Sequence, residues 1–234
     1  MIQKMKEAIR NEWASDDDSK IINFLSRLTR LFCFNKISVT GRNNILITNG
    51  VFYLKSRILI KGSNNRVIIG KGTRLDHTNF IVQGHNVTIT IGRRNYLGHT
   101  KFFVEDDYSN LTIGEENIFG HNNHVAVTEG TKISFKNKCL MAQNVTFRSG
   151  DSHGIFDKET KQRINTAQNV TIGNRVWFGY NTTVLKGVEI KDDTIVATGS
   201  TVIKSPEESN VILGGIPAKI VKRKVYWTPE RNNQ

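Results

Sequence analysis

The chain has 234 residues, enough for one large domain or two small ones. Its 38% hydrophobic and 23% charged residues exclude a disordered chain and a membrane bundle, and no apolar run approaches the ~20 residues of a spanning helix. A net charge of +12 favours an anionic partner, whether nucleic acid, an acidic polymer, a membrane surface or a phosphate-bearing cofactor.

The first residues, MIQKMKEAIRNEWASDDD, hold neither an apolar core nor a small-residue cleavage site. No secretory signal is therefore expected, and cytoplasmic residence is the default expectation. Ser15 followed by Asp16, Asp17 and Asp18 predicts a helix start, with carboxylates favoured at the positive end of the dipole. Ile21, Ile22, Leu25, Leu28 and Phe32 then share one predicted helical face, with Lys20, Arg27 and Arg30 elsewhere. Residues 1–40 are expected to cap the open end of the domain that begins at residue 41. Peripheral contact with a membrane is the alternative for such a basic amphipathic segment.

From Ile47 onward the chain repeats. Ile47, Ile69, Ile91, Ile113 and Phe135 are each 22 residues apart, and each begins its own run of sixes. The runs are Ile47, Tyr53, Leu59; Ile69, Leu75, Ile81; Ile91, Leu97, Phe103; Ile113, Phe119, Val125; and Phe135, Met141, Phe147. All of these positions are apolar. Asparagine and glycine between them supply tight corners, and the many Val, Ile and Thr residues favour strands.

A period of six fits neither the 3.6 of a helix nor the 2 of a flat sheet. It fits a solenoid of short strands, stacked in parallel round a narrow interior. The register breaks in GDSHGIFDKETKQRINTA, at 150–167, which predicts a loop ejected from the coil. The sixes resume without insertion at Ile172, Phe178, Val184, Ile190, Val196 and Val202. The predicted organisation is a helical cap at 1–40, a solenoid at 41–204 and a basic tail at 205–234.

Over residues 45–204 this repeat resembles the left-handed parallel β-helix of the hexapeptide-repeat acyltransferases. The order Asp151-Ser152-His153, Arg163-Ile164-Asn165 and Val176-Trp177-Phe178-Gly179 resembles the sialic-acid and capsular-polysaccharide O-acetyltransferases of that family. The resemblance implies an all-β fold and an acetyl-CoA-dependent O-acetyltransferase acting on a glycan hydroxyl, with a homotrimer as the assembly. The acceptor would be a capsule, polysialic acid or O-antigen chain, and the basic charge suits an acidic one. A small acceptor such as a sugar nucleotide or antibiotic is an alternative, as is a non-enzymatic glycan-binding solenoid.

The resemblance also implies roles. His153 becomes the general base, a task for which histidine needs no large pKa shift. Asp151 either orients that imidazole or caps a turn, and Asn165 either holds the loop or contacts substrate. Trp177 either borders the catalytic groove or is a plain exterior tryptophan. GGIPAKIVKRK resembles the family's turn beside coenzyme A, which implies phosphate contacts for Lys219 and Arg223. Ala197 and Gly199 are small enough for the pantetheine arm to lie along the backbone.

No metal is expected. Cys33 and Cys139 form neither a disulfide framework nor a zinc motif. His77, His99 and His121 lie 22 apart and should stack, yet with His124 they depart from the zinc spacing of the γ-class carbonic anhydrases. Nucleic acid is not expected either, because aromatics are not interleaved with the basic residues.

Overall fold

The computed structural model describes residues 20–230. Short parallel strands succeed one another round a three-sided solenoid, in sheets A, B and C of eight, seven and nine strands. The chain enters sheet A at Lys36–Thr40, crosses sheet B at Ile45–Ile47 and sheet C at Phe52–Leu54, and returns to A at Arg57–Lys61. Later coils repeat that circuit, so strand hydrogen bonds run from coil to coil. The parallel β-helix that the sixfold period predicts is what forms. At the far end a hairpin of Val211–Gly215 and Ala218–Arg223 joins sheet C, its second strand antiparallel to the first.

The interior is narrow enough for rings to meet between coils. Phe80 and Phe102 stack with centroids 4.6 Å apart. Phe119, Phe135, Phe147 and Phe178 continue the column edge to face, at 4.8–5.6 Å. Each pair adds about 0.5–1.5 kcal/mol to the burial of its area. Buried asparagines serve the corners, where turning strands leave backbone groups to be paired. The Asn117 backbone N–H donates to Asn95 Oδ1 at 2.8 Å, and Asn117 Nδ2 donates to the Lys136 carbonyl at 3.0 Å.

The structure corrects the register in the early coils. Leu59, Ile81 and Phe103 are only half-buried on the outer face of sheet A, while Ile58, Phe80 and Phe102 point into the core. The cause is a short corner between sheets C and A. Five residues separate the core positions Leu97 and Phe102, whereas six separate Phe119 and Val125. Phe102 accordingly pairs with Phe80 on one side and with Val125 on the other, steps of 22 and 23 residues. Ile47 also lies outside the core, at 41% exposure in the first coil. After the ejected loop the coil shortens to 18 residues, as the pairing of Val184 with Val202 requires. There all six anchors from Ile172 to Val202 are buried.

A helix at Lys20–Phe32 packs on the first strand of sheet C. Ile22, Leu25, Ser26 and Thr29 face inward, and Thr29 Oγ1 accepts the Tyr53 backbone N–H at 3.2 Å. The predicted face needs correcting as well, because Phe32 is 73% exposed and Leu28 turns outward. Leu28 lies six residues beyond Ile22, about 120° round the axis from it. The helix start predicted at Ser15 and Asp16 to Asp18 lies outside the described residues. Among the described residues no helix is long and apolar enough to cross a membrane.

Candidate active site

The strand Thr146–Arg148 ends in sheet A and the next strand, Val170–Ile172, begins in sheet B. The segment between them leaves the solenoid at the corner of these two sheets. Its base is closed by the Gln168 N–H, which donates to the Ser149 carbonyl at 2.8 Å. Its tip is a small hairpin in which Phe156 bridges Arg163 and the Ile164 N–H donates to the Ile155 carbonyl at 2.9 Å. Asp157 caps the turn by accepting the backbone N–H groups of Glu159 and Thr160 at 3.0 and 2.7 Å.

Asn165 is the centre of the loop, with only 7% of its surface exposed. Its Nδ2 donates to Asp151 Oδ2 at 2.9 Å and to the His153 carbonyl at 2.8 Å, and its Oδ1 accepts the Ile155 N–H at 2.6 Å. Of its two expected roles, holding the loop is the one these contacts perform. Asp151 is held by Lys186 Nζ at 2.5 Å as well as by Asn165. The hydrogen bond from Lys186, then that from Asn165, keeps its carboxyl below the usual carboxylate range. Among the described residues its oxygens go to those partners and not to the His153 ring. On the other flank Arg163 forms a two-pronged pair with Glu129 at 2.9 and 2.6 Å, which depresses the Glu129 carboxyl.

His153 itself is exposed, and among the described residues its ring takes no hydrogen bond. The neighbouring Ser152 is occupied, since its Oγ accepts from Arg148 Nη2 at 2.7 Å. The loop thus fixes the His153 backbone through Asn165 and leaves its imidazole facing outward. Three anchors, Glu129, Arg148 and Lys186, have no signature in the sequence, because stacked coils bring them to the loop.

The remaining candidates lie across sheet A from that loop. Ala197 and Gly199 form part of the corner between sheets C and A, after the strand Ile195–Val196. Gly199 has φ of 73°, and a methyl group there would meet nothing within 4 Å. Trp177, in sheet C, is 37% exposed and faces Trp227 of the tail with ring centroids 6.0 Å apart. Trp227 is tied down by its Nε1, which donates to the Arg175 carbonyl at 2.6 Å. Lys219 and Arg223 lie on the outermost strand of sheet C, where Lys219 is exposed and Arg223 Nε bonds to Glu208 at 3.0 Å.

The histidine column also forms. The His77 and His99 rings stack at 4.3 Å and His99 meets His121 at 4.5 Å, along the corner of sheets C and A. Burial, and then the neighbouring His77 and His121, push the His99 imidazole below its ordinary value. His124 lies half-buried beside them, lowered by burial and then by Arg148 and Lys101. A cavity of about 380 Å³ opens there, lined by His99, Lys101, Phe103, Asn122, Asn123 and His124.

No family model matches the chain. The chain is similar to the polysialic acid O-acetyltransferase of Escherichia coli O1:K1, 34% identical over 101 residues, which is 43% of this chain and 33% of that protein. The polysialic acid O-acetyltransferase of Neisseria meningitidis is 32% identical over 106 residues, 45% of this chain and 49% of that protein. The matched region therefore spans a third to a half of these curated relatives. Among solved structures, the polysialic acid O-acetyltransferase OatWY superposes with a TM-score of 0.79 at 30% identity, over 85% of this chain and 93% of the other.

Proposed function

The chain belongs to the hexapeptide-repeat acyltransferases, and from that membership we propose an acetyl-CoA-dependent O-acetyltransferase that acts on a sugar hydroxyl of a bacterial-type surface glycan. The likeness to polysialic acid O-acetyltransferases supports this choice of acceptor. The observation that carries the reading is the loop: Asn165, Asp151 and Lys186 hold it, yet the His153 imidazole is exposed and has no partner within it. A residue with a purely structural task would be tied into that network.

His153 takes the proton of the acceptor hydroxyl. The hydroxyl oxygen attacks the thioester carbonyl, a C–O bond forms, and the C–S bond breaks as the oxyanion collapses. The leaving thiolate then recovers the proton from the imidazolium. A backbone N–H is the kind of donor suited to the oxyanion. Transfer is direct, within a ternary complex, because Ser152 accepts a hydrogen bond from Arg148 and does not stand on the strand-to-helix turn that presents a serine nucleophile.

Sheet A separates the His153 loop from Trp177, Ala197, Gly199 and Lys219. One chain therefore supplies the base at one edge of sheet A and the donor-binding residues beyond the other. A closed homotrimer would bring one subunit's loop against its neighbour's donor residues. The open space at Gly199 and the exposed side chain of Lys219 fit a pantetheine arm and a phosphate. Lys101 and Arg148, which flank His124 on the outer face of sheet A, give that face a basic character that suits an acidic acceptor.

Thioester release with acetyl-CoA and a panel of neutral and acidic glycans, wild type against His153→Ala, tests the whole reading. A wild-type rate that requires a glycan and falls about 10²–10⁴-fold in the variant is expected. Equal rates in both proteins would remove His153 from the chemistry, and no glycan-dependent release would remove the acceptor class.

A further inference from the structure

We infer that Asp76, His77 and His99 form a binding site for a divalent transition-metal ion of the zinc class, at the corner between sheets C and A. Each residue offers one ligand atom, and these atoms all lie within 4.8 Å of one another. Tetrahedral zinc with bonds of ~2.0–2.1 Å sets its ligands roughly 3.3–3.5 Å apart. The two stacked imidazoles must turn about their side-chain bonds for their in-plane lone pairs to converge on one ion.

Coil stacking creates the set. His77 and His99 occupy the same corner position in successive coils, both with left-handed backbone, at φ of 51° and 46°. Their rings are nearly parallel, 11° apart, and half-buried, so both imidazoles are presented from fixed backbone. Asp76 lies against them, with Oδ1 at 2.6 Å from His77 Nδ1. Tyr96, from the next coil, donates its hydroxyl to Asp76 Oδ2 at 3.1 Å. That bond orients the carboxylate and leaves Oδ1 turned to the histidines, the kind of outer support that ligating carboxylates have in metal centres. Two imidazoles with one carboxylate suit zinc and its neighbours and not the oxygen-seeking calcium or magnesium. Asp76 is the member that histidine spacing alone does not reveal. His121 continues the column but is exposed and outside the set.

The site does not depend on acetyl transfer and is tested without it. The full chain, stripped with EDTA, is titrated with Co²⁺ in the visible region and then with Zn²⁺ in competition. One equivalent per chain with tetrahedral d–d bands, displaced by Zn²⁺, is expected. Asp76→Asn and His99→Ala should each weaken binding by more than about 10-fold, and Tyr96→Phe by about 10-fold through the carboxylate it orients. His121→Ala should retain the wild-type affinity. Zn²⁺ should raise the melting temperature of the wild type and not that of Asp76→Asn, whose shape is unchanged. A titration that is flat, or identical in wild type and Asp76→Asn, would overturn the site.

Discussion

Asn165 and Asp151 meet across the neck of the ejected loop, Nδ2 to Oδ2 at 2.9 Å, although 14 residues separate them in the chain. The same Nδ2 reaches the His153 carbonyl, so one buried amide fixes both the base of the loop and the backbone of its histidine. Asn165→Ala leaves the Ile155 N–H and the His153 carbonyl, both on exposed residues, to water in place of their partner, a loss of about 0.5–1.5 kcal/mol per hydrogen bond. The cost falls on the loop and not on the solenoid. Acetyl transfer should drop by about 10-fold or more while the melting temperature moves by a few degrees at most. Unchanged turnover would show that the loop does not need this amide to present His153.

The two flanks of the loop should fail together in acid. Asp151 and Glu129 are both held below their ordinary values, chiefly by the hydrogen bonds from Lys186 and Arg163 respectively. A depressed carboxyl contributes stability that is present above its unfolded value and lost as pH falls through its folded value. The anchoring should therefore persist at neutral pH and disappear only below about pH 4, under the unperturbed carboxylate range. Hydrogen exchange across residues 150–167 measures this directly. Protection lost near pH 6 would mean that a histidine, and not these carboxylates, holds the loop.

Phe102 and Phe103 provide a test of the register. Phe102 stacks on Phe80 in the core, whereas Phe103 lies half-buried outside, edge-on to His124 at 5.5 Å. Phe102→Ala should cost about 3–5 kcal/mol, as other large core truncations do. Phe103→Ala should cost about 1 kcal/mol or less. Urea denaturation of the two variants distinguishes them, and a larger loss from Phe103→Ala than from Phe102→Ala would place the chain in the register that the sixfold count predicts.

That register is the part of the fold the sequence conceals. Ile58, Leu59 and Ile60 are all apolar, so hydropathy alone cannot say which of them turns inward. The deciding feature is the short corner before them, and corners carry no hydrophobic signal. Where coils hold 18 residues with nothing inserted, from Ile172 to Val202, the anchors are legible at every position. In the site, the loop is legible because it breaks the repeat. Lys186 and Glu129 are not, since they lie 35 residues from Asp151 and 34 from Arg163 and meet them only through coil stacking. Asp76 escapes for a similar reason: a single acid beside a histidine forms no spacing pattern.

Lys219 and Arg223, both candidate phosphate contacts by sequence, are expected to separate in experiment. Lys219 is exposed on the outer strand of sheet C, while Arg223 is already bonded to both oxygens of Glu208, at 3.0 and 3.2 Å. A phosphate at Arg223 must displace or share that carboxylate, whereas one at Lys219 need not. If Lys219 pairs with a phosphate of the donor, Lys219→Ala should weaken coenzyme A binding by about 1–3 kcal/mol. Arg223→Ala should weaken it by less, because removing an exposed ion pair with Glu208 changes stability by only about 0–1 kcal/mol and frees no donor that the ligand was using. Calorimetric titration with coenzyme A and with dephospho-coenzyme A assigns the contact. A Lys219 effect that shrinks with the dephospho form identifies the 3′-phosphate as its partner. An equal loss with both forms assigns Lys219 to the pyrophosphate, and a larger loss from Arg223→Ala than from Lys219→Ala would mean that Glu208 yields to the ligand.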